Sequence, residues 1–187
     1  MSQENVEIVR TPLSTWTRPS RTLDERLFVR FPTLLPRIVS AVMRLRPRSR
    51  VRRNLLSFGV RRGWAASDRG DLDLCLCGYD PGVEISWPES GSLAFPDLSG
   101  VYRGHEGFRQ VWLAMHDPWD VDVQLEEMID AGTRLLVVGQ VAVRGSGSGI
   151  SVSGPLFALQ SFRAGRIVRE QFFNDREQAL EAAGLSE

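Results

Sequence analysis

A chain of 187 residues has room for one sizeable domain, or for a domain of roughly 120 residues with an extension. Apolar residues at 42% and charged residues at 25% exclude a disordered chain. The net charge of zero conceals a division: residues 1–62 carry 14 Arg against four acids, and residues 63–187 nine Arg against 19, so the parts are +10 and −10.

Lysine is absent, so every cation is a guanidinium, which stays charged when partly buried and forks onto carboxylates or phosphates. No apolar run reaches the roughly 18 residues of a membrane helix. The opening MSQENVEIVR is polar and carries acids, unlike a signal peptide, and a cytoplasmic location is expected. Cys75 and Cys77 stand two apart in an apolar stretch, too close for an ordinary disulfide and without a second pair for zinc; they read as small core residues.

In chain order, Thr22 with Glu25 forms a capping box, and Leu23, Leu27, Leu34, Ile38, Val42 and Leu45 recur at helical spacing. Pro32, Pro36 and Pro47 interrupt the run, which predicts two or three short helices up to about residue 46 and a longer one over 49–68. Asp71 opens a short helix through Cys77. In VEISW, residues 83–87, the period changes to two, the mark of a strand. A Pro, Gly and Ser-rich loop follows up to Gly104. Residues 105–116 then form a helix with Phe108, Val111, Trp112 and Met115 on one stripe.

Four long strands are expected over 120–130, 133–144, 150–163 and 166–174, with glycine-bearing turns between them. Asp175 and Gln178 open a C-terminal helix that ends at Gly184. Helices, a strand, a helix and an antiparallel meander make an α+β architecture, not a βαβ repeat. A strongly curved antiparallel sheet wrapped against helices leaves a hollow of the kind that takes small apolar ligands.

The stretches RGDLDLCLCGYDPGVEISWP, GVYRGHEGFRQVWLAMHDPWDVDVQLEEMIDAGTRLLVVGQV and AGRIVREQFFNDREQALEAAGLSE resemble the SnoaL-like group of the nuclear transport factor 2-like superfamily. The resemblance implies a cone-shaped sheet over residues 59–187, an Arg-rich helical extension over 1–58, and a homodimer. It does not fix an activity, because this fold serves cyclases, isomerases, dehydratases and non-catalytic domains. Aligned on isomerases of the superfamily, the first-helix Tyr falls near Gly63, the base at Ile85 or Trp87, and the second Asp near Ala158. The acid of the cyclases falls near Phe172, and Asp175 reads as a helix cap. The usual catalytic positions therefore read as vacant.

Two residues remain as candidate bases. His105 stands between Gly104 and Gly107 at a helix start, where it either stays neutral in the pocket or orders the loop through backbone carbonyls. Glu127 shares the period-two face of Val121, Val123, Leu125 and Ile129, and points inward unless a bulge at Glu126 and Glu127 turns it out. Trp87, Tyr102, Trp112, Gln140, Phe157, Phe172 and Asn174 are candidate ligand contacts. His116 reads as a cation at a helix C-terminus. With no His, Asp and Glu cluster at ligand spacing, neither metal nor cofactor is expected.

The expected function is binding of a small hydrophobic or polycyclic molecule in the cone, with cofactor-free isomerase or cyclase proton transfer as one alternative. The other is a dimeric interaction module whose basic residues 11–58 contact membrane or nucleic acid. That segment also reads as an annex packed on the acidic body, since +10 beside −10 is self-complementary.

Overall fold

The structure, a computed structural model, describes residues 21–47, 49–117, 119–145 and 151–185. Four helices come first: α1 (Leu23–Arg30), α2 (Leu34–Met43), α3 (Arg50–Asp68) and α4 (Leu72–Gly78). At the head of α1 the Thr22 backbone N–H donates to Glu25 Oε2 at 2.9 Å, half of the expected capping box. Pro36 sits in the first turn of α2, where its missing N–H has no helical partner to lose. Asp71 caps α4 by accepting from the Leu74 backbone N–H. The expected boundary between residues 58 and 59 falls inside α3, which runs through it without a break.

Next come β1 (Tyr79–Trp87), β2 (Gly100–Arg103), α5 (Gly104–His116), β3 (Trp119–Ala131), β4 (Arg134–Gly145), β5 (Ser151–Arg163), β6 (Arg166–Phe173) and α6 (Arg176–Ala183). One six-stranded, curved and unclosed sheet runs in the order β2, β1, β6, β5, β4, β3. Strands β3 to β6 form the expected antiparallel meander. β1 departs from it by lying parallel to β6. The reason is the path of the chain: α5 carries it from β2 to the far edge, and the meander then returns strand by strand until β6 meets β1. β2, which falls in the expected loop, pairs with β1 over four residues.

The sheet has two covered faces. Its inner face presents Val83, Ile85, Trp87, Val137, Ala158 and Phe172 to Phe108, Val111, Trp112 and Met115 of α5 and to side chains of α3 and α4. Its outer face presents Leu136, Val138, Phe157 and Leu159 to Ala179, Leu180 and Ala183 of α6. β3 is bulged between Leu125 and Glu127, so the residues beyond change face. Gly139 lies opposite Leu125, and a Cβ there would collide with the Gln124 carbonyl.

Four arginines fasten the leading helices to the body and to one another. Arg52 is buried and donates to the carbonyls of Met43, Leu45 and Gly132 and to Asp130 at 2.7 Å. Arg21 forks onto Asp71, and Arg62 and Arg69 converge on buried Glu25. Each pairing is bidentate or shared, the geometry in which a guanidinium outperforms an ammonium.

Candidate functional site

The inner face is not wholly apolar. Glu170 on β6 lies opposite Gln160 on β5 and beside Ile85 on β1, with 4% of its surface exposed. Its carboxyl is held at both oxygens: Gln160 Nε2 donates to Oε1 and the Tyr79 hydroxyl donates to Oε2, each at 2.7 Å. Burial raises the Glu170 pKa above the usual carboxylate range, and the two donors oppose that shift. The Tyr79 phenol is pushed well above its ordinary value, first by burial and then by the neighbouring carboxyl. A buried carboxyl with donors aimed at both oxygens is a group that can give a proton or take one.

Two residues along β6 an aromatic shelf begins. Trp87 stacks on Phe172 with ring centroids 4.0 Å apart and meets Phe95 edge-on at 5.8 Å. Trp87 is 5% exposed, and its indole Nε1–H is buried without an acceptor among the described residues. Such a donor costs about 1–3 kcal/mol relative to a satisfied one.

His105 lies in the first turn of α5, half-buried, with Nε2 3.3 Å from the Tyr79 carbonyl. Arg166 donates to the same carbonyl at 3.0 Å. This is the loop-ordering placement, and Gly104 and Gly107 serve it: Gly104 has φ +68, and a Cβ on Gly107 would strike Tyr102.

Glu127 does not reach the inner face. The β3 bulge puts it opposite Val138 on the outer side, exposed and 3.0 Å from Arg176. Gln140 shares the outer side and is exposed, and Phe157 is buried there under α6. Asn174 lies beyond the end of β6, exposed, and its Nδ2 donates to Gly91 O at 2.8 Å and Ser90 Oγ at 3.2 Å. These four therefore stand apart from the cluster: Glu127 takes the outward alternative that a bulge allows, and Gln140, Phe157 and Asn174 do not meet the inner face as ligand contacts.

Trp87 and Phe172 are brought together, and Tyr102 sits opposite Ile85 at the inner edge of β2. Trp112 is on the inner face, but its Nε1 donates to Ser67 Oγ at 3.0 Å. His116 stacks on Trp112 at 4.5 Å, and burial lowers its pKa to about 4. It is a neutral ring at pH 7, not the cation expected at a helix C-terminus.

The groups that the sequence reading missed are Tyr79, Gln160 and Glu170. A signal is present: Glu170 stands two residues before Phe172, itself a candidate ligand contact, and alternation puts the carboxyl on the same face as that ring. The inner face therefore holds an acid that the alignment-based vacancies excluded. Among the described residues, no group of three or more His, Cys, Asp and Glu side chains is placed to hold a metal ion.

The fold has many counterparts among solved structures. An NTF2-like protein from Burkholderia thailandensis is 26% identical, with a TM-score of 0.53 over 68% of this chain and 95% of its own. An NTF2-like protein of unknown function from Burkholderia pseudomallei is 23% identical, with a TM-score of 0.55 over 65% of this chain and 92% of its own. TerC, co-crystallised with polyporic acid, is 23% identical, with a TM-score of 0.50 over 66% of this chain and 96% of its own. No curated protein matches the sequence. The SnoaL-like domain family matches residues 60–170, more than half the chain and the span that carries the cluster, so the protein belongs to the SnoaL-like family.

Proposed function

We propose that the inner face binds a small hydrophobic molecule carrying a hydrogen-bond acceptor, laid against the Trp87–Phe172 stack with its acceptor on Trp87 Nε1. One observation carries this reading: a buried indole N–H without an acceptor among the described residues, on an aromatic shelf. A carbonyl or similar oxygen on the ligand removes the cost of that bare donor, while the flat surface of the molecule is taken out of water. The co-crystallisation of TerC with polyporic acid lends support as a ligand held by this fold. The reading calls on no cofactor.

A second reading is favoured by Glu170. With the carboxyl buried beside the shelf and gripped by Tyr79 and Gln160, the protein moves a proton within its ligand, as an isomerase or cyclase does. The carboxylate takes a proton from a carbon next to the ligand carbonyl, and the resulting acid returns it elsewhere on the same molecule. Trp87 Nε1–H then steadies the oxygen on which negative charge develops.

Native mass spectrometry of the purified protein and fluorescence titration with polyporic acid test both readings. Retained small-molecule mass, or saturable quenching of the tryptophans that weakens about ten-fold in Trp87→Phe, is expected. Proton transfer predicts deuterium uptake into the ligand in heavy water, lost in Glu170→Gln with binding retained. No retained mass together with no quenching, or equal affinity of Trp87→Phe and wild type, overturns the binding proposal.

A further inference from the structure

We infer that helices α1 to α3 form a docking surface for an anionic lipid bilayer. Each of the three turns a line of apolar side chains to solvent. On α1 and its C-cap these are Leu23, Leu27 and Phe31, four residues apart, with Leu23 78% and Phe31 55% exposed. On and just beyond α2 they are Ile38 and Leu45, seven apart, and on α3 they are Val51, Leu55 and Phe58, the last 59% exposed. Spacings of three, four and seven put each set on one stripe of its helix.

Cations stand beside every stripe. Arg26 and Arg30 accompany α1, and Arg37, Arg44 and Arg46 lie along and after α2. On α3, Arg50 flanks the stripe, while Arg53 and Arg61 stand on the other side of the helix, where they line a hollow with Glu126 and Glu127 of β3. All eight are exposed, and none has a carboxylate within ion-pair distance among the described residues. Of the same segment, Arg21 and Arg52 pair with Asp71, Asp73 and Asp130 of the body, and Arg62 pairs with Asp24 and Glu25 of α1, so these three are already engaged.

An occupant of this surface has to supply many negative charges and an apolar phase beneath them. Residues 1–20 hold two acids and two arginines, so they add no net negative charge. Nucleic acid supplies phosphates but leaves the leucines and phenylalanines in water. A bilayer with anionic headgroups supplies both, with guanidiniums at the phosphates and side chains in the acyl boundary. Among the described residues no helix is long and apolar enough to cross a membrane.

The experiment is flotation of the full chain with phosphatidylcholine vesicles, with and without phosphatidylglycerol, over a range of salt. Binding to the phosphatidylglycerol vesicles alone, falling as salt rises, is expected. Arg37→Gln with Arg44→Gln should weaken binding about five-fold per residue removed. Phe31→Ser with Phe58→Ser should lower it at every salt concentration. Circular dichroism confirms that these exposed-site variants are folded, and a variant that does not fold is replaced by Leu27→Ser with Leu55→Ser. Equal partitioning onto both vesicle types, unchanged binding in both folded variant pairs, or tighter binding to duplex DNA overturns the inference. So does a dimer in sedimentation that the same substitutions dissociate.

Discussion

The Tyr79 hydroxyl sits 2.7 Å from Glu170 Oε2, joining the first residue of β1 to the middle of a strand some ninety positions later. This contact makes the pH response of the fold specific. Glu170 has a raised pKa in the folded state, so its contribution to stability is full below the ordinary glutamate value and declines as pH rises through the folded value. Glu170→Gln keeps a neutral side chain at every pH. Urea unfolding between pH 5 and 8 should show wild type losing stability relative to Glu170→Gln as pH rises, while Tyr79→Phe costs about 1 kcal/mol.

Arg52 is the second test. Its guanidinium satisfies three carbonyls and Asp130, and all of these lose a partner in Arg52→Met. A loss of about 3–5 kcal/mol is expected, because Asp130 stays in place without its counter-charge. Arg52→Met with Asp130→Asn should recover part of that loss, as measured by denaturant midpoint at constant slope.

His116 should weaken the protein in acid. Its folded pKa of about 4 lies below the usual histidine value, so the unfolded chain binds the proton first. Stability contributed by the neutral ring is present above about pH 6.5 and is lost as pH falls toward 4, on the order of 2 kcal/mol. His116→Gln should flatten that part of the curve, with the thermal midpoint measured at pH 4.5 and 7.

Gly165 closes the turn between β5 and β6 at φ +77, and a Cβ there would strike the Pro36 carbonyl. Gly165→Ala should cost more than 1 kcal/mol and loosen α2 first. Hydrogen exchange of the α2 amides is the readout, and unchanged protection there contradicts the packing described.

The sequence announces most of the elements. Proline breaks, capping residues and the change from a period near four to a period of two set the limits of α1 to α5 and of the long strands. β2 is hidden because its four residues, GVYR, follow a run of Pro, Gly and Ser and are ordered by pairing with β1 rather than by a pattern of their own. Strand facing is the harder inference. β4 alternates Leu135 and Val137 inward with Leu136 and Val138 outward, apolar on both sides, so periodicity groups residues correctly without saying which group faces in.

Gln140 and Phe157 went to the outer face for that reason, and the β3 bulge moved Glu127 there. The bulge has a trace in Gly139, whose missing side chain makes room for it, but the trace becomes readable only when β3 and β4 are set side by side. Glu170 was hidden by its charge, because a carboxylate in a strand reads as solvent-facing until Tyr79 and Gln160 are seen to meet it.

The parallel union of β1 with β6 also bears on biosynthesis. β1 leaves the ribosome early with β2 along one side, and its other edge stays bare until Arg169, Glu170 and Gln171 have been translated to meet Glu84, Ile85 and Ser86. During that wait Trp87 has no Phe172 to stack upon. A nascent chain halted before residue 166 accordingly keeps an open edge on β1 and half of its aromatic stack, the kind of exposed surface through which chains aggregate.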